Sequence, residues 1–147
     1  MDAQSTESRL AFIRDLFLER IPFNRVLGIE IASMEPGKVL FSVPFRPELI
    51  GDPDRPALHG GVLSAVADTC GGCAVWSAVD VRDRVSTIDL RVDYMRPGRP
   101  EELRCWGEVQ RVGNRVGVAQ IRLFHPSSPD VVIAEAKGVY SVKRAAA

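Results

Sequence analysis

The chain has 147 residues, enough for one domain with a sizeable core. Hydrophobic residues make up 46% and charged residues 26%, an ordinary soluble composition. The 19 Lys and Arg residues balance 19 Asp and Glu, so no charge excess points to nucleic acid or a membrane surface as partner.

Residues 5–20, STESRLAFIRDLFLER, place Leu10, Ile13 and Phe17 at helical spacing, with Ser5 as a candidate N-cap and Pro22 as the stop. The charges Asp2, Glu7, Arg9 and Arg14 argue against a cleavable signal peptide, and a cytoplasmic location is expected. Residues 26–34 and 38–45 read as strands joined by a Pro36-Gly37 turn. The stretch RPELIGDPDRPAL is rich in Pro and Gly and reads as a loop. Residues 60–79 are then apolar almost throughout. STIDLRVDYM alternates, with Ile88, Leu90, Val92 and Tyr94 on one face and Asp89, Arg91 and Asp93 on the other. ELRCWGEVQRV, RVGVAQIRLF and VVIAEAKGVYSV supply three more strands. Gly113-Asn114 marks a hairpin between the first two, HPSSPD is the turn before the last, and the tail KRAAA is expected to fray.

Residues 60–79 contain one carboxylate, Asp68, and no base. The length would just span a bilayer, but four glycines, two serines and the acid argue for a buried helix instead. A helix apolar nearly all round must be covered nearly all round. Six strands need an apolar cover, and this is the one segment apolar enough to supply it. The exception on its circumference is a narrow face of Ser64, Asp68, Gly71 and Gly72, with Val75. Small residues permit close approach, and a second copy of the chain is the economical occupant of that face. The predicted fold is therefore one α+β domain over residues 1–147: a long central helix wrapped by a six-stranded, mainly antiparallel sheet, plus an N-terminal helix.

The run LHGGVLSAVADTCGG followed by VSTIDLRVDYMRPG resembles the hotdog-fold acyl-CoA thioesterases, and among them the branch of the phenylacetyl-CoA thioesterases. The matching pattern is His59-Gly60-Gly61 opening the helix, Asp68 nine residues after the His, and Tyr94-Met95-Arg96-Pro97 closing a strand. The likeness covers roughly residues 25–142. It implies hydrolysis of an acyl-CoA to an acid and CoA, with no metal or organic cofactor. It implies dimers, or pairs of dimers making a homotetramer, with each site built by two subunits.

The physical chemistry of the residues agrees. Gly60 and Gly61 lie in the first helical turn, where backbone N–H groups lack helical partners and the helix dipole is positive. That is a ready oxyanion hole, and the resemblance assigns the carbonyl to the Gly60 N–H. Asp68 is then nucleophile or general base, with both roles open. His59 orients the loop or transfers a proton. Thr87 matches a position whose hydroxyl holds the attacking water from a neighbouring subunit. Relatives often carry an amide in the loop before the His; here Pro53 stands there, flanked by Asp52 and Asp54, and Asp52 would have to replace it. An acid donates a hydrogen bond only when protonated.

Arg96, Arg99, Arg111 and Arg115 are candidates for the CoA phosphates, although a solvated charged face explains any single arginine as well. Cys70-Gly71-Gly72-Cys73 invites a redox or zinc reading. It sits in mid-helix, away from the helix start where a dipole activates thiols, so core packing is the expectation. Against hydrolysis stand a non-hydrolytic acyl-CoA or acyl-lipid binding module, a hotdog hydratase, and a redox module on Cys70 and Cys73.

Overall fold

The computed structural model describes residues 3–147. Helix α1 runs over Ala3–Asp15, so Ser5 lies inside it and is not its cap. A wider π-type turn, Leu16–Arg20, follows, and then a short helix α2, Pro22–Leu27. The expected strand over 26–34 is thus corrected to the end of α2, a turn, and strand β1 at Glu30–Glu35. Pro22 at the first helical position suits a helix start as well as a stop. Gly28, at φ 75, supplies the left-handed residue that ends α2.

Strand β2 spans Lys38–Val43. The expected loop after it carries a 3-10 turn, Pro47–Leu49, and a small antiparallel pair, β3 (Ile50–Asp52) and β4 (Ala57–Leu58). Helix α3, Gly60–Ser77, is followed by β5 (Arg84–Tyr94), β6 (Leu103–Val112), β7 (Val116–His125) and β8 (Ser128–Lys143). The main sheet has the order β1-β2-β6-β7-β8-β5, with every neighbouring pair antiparallel. The short β6–β7 connection closes where Gly113-Asn114 predicted it, with the Gly113 N–H donating to Val116 O at 2.8 Å.

The core forms where the period-two strands meet α3. Gly117, Ala119, Ile121 and Leu123 of β7 and Ala134, Ala136, Gly138 and Tyr140 of β8 turn inward in alternation. Leu63, Val66, Ala67, Cys70, Cys73 and Ala74 of α3 meet that surface and are almost wholly buried. Each buried Val or Leu contributes about 1.5–3 kcal/mol. The C-terminal tail is pinned where fraying was expected. Arg144 bonds Asp83 at 2.8 Å and the carbonyls of Gly113 and Asn114, and the Ala145 N–H bonds Asp83. Burial pushes the Asp83 carboxyl up, but these donors more than offset it and hold it below its usual range.

Part of the narrow polar face of α3 also needs correction. Gly71 and Val75 are buried against the chain's own sheet. A methyl on Gly71 would come within 2.3 Å of the Tyr140 hydroxyl oxygen, and one on Gly138 within 2.4 Å of the same atom. These two glycines make room for a tyrosine of the same chain. What α3 leaves partly uncovered is Ser64, Asp68 and Gly72.

Candidate active site

His59 caps α3 with extended backbone, φ −61 and ψ 131. Its ring Nδ1 accepts the Gly61 N–H at 2.8 Å, which puts the proton of the neutral ring on Nε2. Its carbonyl accepts the N–H groups of Val62 and Leu63. Three of the first four N–H groups of the helix are therefore spent. Gly60 alone keeps an N–H that donates to no group among the described residues. The two glycines differ in a second way. A methyl on Gly61 would sit 2.8 Å from His59 Nδ1 and break the cap, whereas one on Gly60 would meet nothing nearer than the Tyr94 ring at 3.5 Å. Packing within the chain demands glycine at 61 and does not demand it at 60. The Tyr94 hydroxyl donates to the Gly60 carbonyl at 3.1 Å, fixing this first turn from β5.

Asp68, two turns further along, is half-buried. One carboxylate oxygen accepts the Thr87 hydroxyl at 2.7 Å; the other accepts nothing from the described residues. Thr87 belongs to the same chain as the Asp68 it bonds, whereas the resemblance placed its hydroxyl on the attacking water from a neighbouring subunit. A β-bulge between Thr87 and Asp89 makes this possible: Ile88 drops out of register with β8, re-aiming the strand beside the acid. From below, the Tyr140 hydroxyl donates to the Asp68 main-chain carbonyl at 2.8 Å. Burial and then the Asp68 charge push that phenol far above its ordinary range, so it is a fixed donor. Residue spacing alone did not identify Tyr140 as a support for Asp68. Its partners Gly71 and Gly138 lie far apart in the chain, and that separation hides the signal.

The remaining candidates scatter. The Asp52 carboxylate accepts the N–H groups of Asp54 and Arg55, both at 3.1 Å, and so is engaged with its own loop. Arg96 is exposed on the loop after β5. That loop is tied to β4 just before His59 by the Leu58 N–H on Gly98 O at 2.9 Å. Arg99 shares the loop but is engaged by Glu101, Ser127 and Ser128; it holds the Glu101 carboxyl down to about 2. Arg111 lies near the far end of β6, roughly 27 Å along the strand from Leu103, and Arg115 in the turn after it, beside the C-terminal end of α3. Cys70 and Cys73 are free thiols at zero exposure, and burial pushes both well above the ordinary thiol range, as inert core residues require.

Next to Asp68 lies a cavity of about 250 Å³. Phe17, Ile21 and Phe23 line it from the N-terminal segment, Trp76 from α3 and Val85 from β5, and Asp68 and Thr87 complete the lining. The segment from the π-type turn into α2, part of which the resemblance left outside the shared core, thus supplies one wall of the cavity.

The thioesterase superfamily model matches residues 56–132, from β4 through α3 into β8. A medium/long-chain acyl-CoA thioesterase of Escherichia coli K12, YigI, is 32% identical over 151 aligned positions, covering 94% of this chain and 96% of that one. A crystal structure of a Shewanella oneidensis protein related to the thioesterase superfamily superposes with a TM-score of 0.85 at 31% identity, over 95% of this chain and 99% of the other. The PaaI protein of the E. coli phenylacetic acid degradation operon shares the fold, with a TM-score of 0.80 at 20% identity over 97% and 96% of the two chains. The chain belongs to the thioesterase superfamily and has its hotdog fold. No helix among the described residues is long and apolar enough to cross a membrane.

Proposed function

We propose that the protein hydrolyses acyl-CoA thioesters of medium or long chain, with Asp68 as general base or nucleophile and the Gly60 N–H as oxyanion donor. One observation carries this reading: α3 offers a single unspent N–H at its positive end and, two turns on, a carboxylate with one oxygen free. The acyl chain length follows the activity for which the E. coli relative is named.

With Asp68 as base, it takes a proton from water while the oxygen of that water attacks the thioester carbon. The carbonyl oxygen gains negative charge facing the Gly60 N–H. The carbon–sulfur bond then breaks, and the departing CoA thiolate recovers the proton from Asp68. With Asp68 as nucleophile, its oxygen attacks first and water cleaves the resulting anhydride; a single turnover in isotope-labelled water separates the two routes. His59 works through the cap and Thr87 by holding one carboxylate oxygen. Tyr94 and Tyr140 position the two ends of the site.

Geometry argues that two copies share each site. Gly60 and Asp68 of one helix are about 12 Å apart along the axis. A carbonyl oxygen within about 3 Å of the Gly60 N–H leaves its carbon out of reach of the same helix's carboxylate. Two antiparallel α3 helices remove the problem: Gly60 and His59 of one copy face Asp68 and Thr87 of the other. This divides the site differently from the sequence expectation, which kept Asp68 with Gly60 and took Thr87 from the partner. β5 supports the pairing, as an eleven-residue edge strand whose exposed Ile88 and Tyr94, with Met95 just past its end, need cover. Arg96, two residues past the Tyr94 that lies against Gly60, is placed for the CoA phosphates, with Arg99 on the same loop; Arg111 and Arg115 serve only a site that uses the partner's Gly60. Asp52 keeps a supporting role in the loop.

A hydrolysis screen over aryl and straight-chain acyl-CoAs with thiol detection tests the activity. Tight binding without thiol release would favour a binding module, and water addition to an enoyl-CoA would favour a hydratase. Gly60→Pro tests the shared site. Proline removes the N–H, is tolerated at a first helical position, and follows a residue already extended at ψ 131. Gly60→Pro and Asp68→Asn should each be nearly inactive alone, yet regain activity when co-expressed, because a mixed dimer carries one intact site.

A further inference from the structure

We infer that Trp76 is the end wall of the acyl pocket and sets the longest acyl chain the enzyme accepts. The inference rests on the thioesterase reading of Asp68 and extends it to substrate length.

On the far side of the 250 Å³ cavity beside Asp68 lies a second hollow of about 630 Å³. The two share Trp76, Val85 and Ser86, and these three residues form the partition between them. The near cavity is lined mainly by Phe17, Ile21, Phe23, Trp76 and Val85, which suits a hydrocarbon tail lying beside Asp68. The far hollow is lined by Phe12 and Leu16 together with Arg20, Arg82, Arg84 and Lys143. An extended acyl chain therefore runs inward from the carboxylate, along Phe23 and Ile21, until it meets the indole.

The indole is held by packing. The Phe17 ring meets it edge-on, with centroids 6.0 Å apart and planes at 85°. Its ring N–H has no hydrogen-bond partner among the described residues, so no polar anchor explains a tryptophan here. A large flat side chain between two hollows, fixed from the N-terminal segment, is what a length stop requires. Phe17 comes from the π-type turn, whose freed carbonyl is taken by the Asn24 side chain at 3.0 Å. That turn sets Phe17 and the start of α2 along the cavity.

The test is the profile of kcat/KM over acetyl-, hexanoyl-, decanoyl- and palmitoyl-CoA for wild type, Trp76→Ala, Val85→Ala and Phe23→Ala. Trp76→Ala joins the two hollows. The palmitoyl-to-hexanoyl ratio should rise at least about tenfold, the smallest discrimination usual for a methylene-scale change in an apolar pocket. Val85→Ala thins the same partition and should shift the ratio the same way by less. It also keeps the question answerable if Trp76→Ala does not fold. Phe23 is 57% exposed at the rim, so Phe23→Ala should fold, and it should lower decanoyl turnover relative to acetyl. Unchanged ratios in every folded variant of an active wild type would overturn the length stop alone. A wild type that releases no thiol from any of these esters would overturn the thioesterase reading, and the length stop with it.

Discussion

The two faces of α3 carry similar residue types and come to opposite ends. On one face Cys70, Cys73 and Gly71 are sealed: the thiols have zero exposure, and Gly71 fits against Tyr140 with no space for a methyl. On the other, Ser64, Asp68 and Gly72 stay partly uncovered, one Asp68 oxygen has no partner among the described residues, and Gly60 tolerates a methyl but carries the first-turn N–H that donates to none of them. Small and polar residues on the sealed face serve packing. On the open face they leave groups without partners among the described residues. Two features separate the cases: whether each polar group already has a partner, and whether the space beyond each glycine is filled.

Asp68→Asn should show the contrast most strongly. Asn keeps the shape and can still accept from Thr87 but cannot act as base or nucleophile. Turnover should fall by roughly 10²–10⁴ with little change in KM and an unchanged or slightly higher Tm. Near-normal turnover in steady-state kinetics would make Asp68 structural. Gly60→Pro should lower kcat by about 10²–10³, the usual value of one oxyanion donor, with circular dichroism unchanged; an active variant would move the oxyanion hole elsewhere.

On the sealed face the effects should be on stability. Gly71→Ala forces a methyl against the Tyr140 hydroxyl and should cost about 1–3 kcal/mol in denaturant unfolding. It should also loosen the Tyr140 bond to the Asp68 carbonyl, so a few-fold loss of kcat is expected beside it. A fully stable Gly71→Ala would mean that Tyr140 can move aside freely. The smallest change should come from Cys70→Ala with Cys73→Ala, about 1 kcal/mol per site with turnover nearly intact. In native protein both thiols should resist alkylation, because burial disfavours the thiolate. Turnover that depends on reductant would revive the redox reading.

The sequence by itself determined the core of this protein. Period-two alternation marked the four long C-terminal strands, and an apolar run of helical length with a single carboxylate marked α3. The His-Gly-Gly and Tyr-x-x-Pro motifs marked the ends of the site. These signals are local: each depends on spacing within one element, and spacing survives in one dimension. Tertiary structure decided what depends on residues far apart in the chain. Tyr140 supports Asp68 across a gap of 72 positions. A bulge at Ile88 brings Thr87 to the acid of its own chain, 19 positions away. The cap formed by His59 leaves Gly60, of two adjacent glycines, as the free donor. Segment 16–27 read as a helix end followed by a strand, yet it folds as a π-type turn and a short helix that wall the cavity beside Asp68. Its form is set by the Asn24 bond to Phe17 O and by the packing of Phe17 on Trp76, partners that no local periodicity reveals.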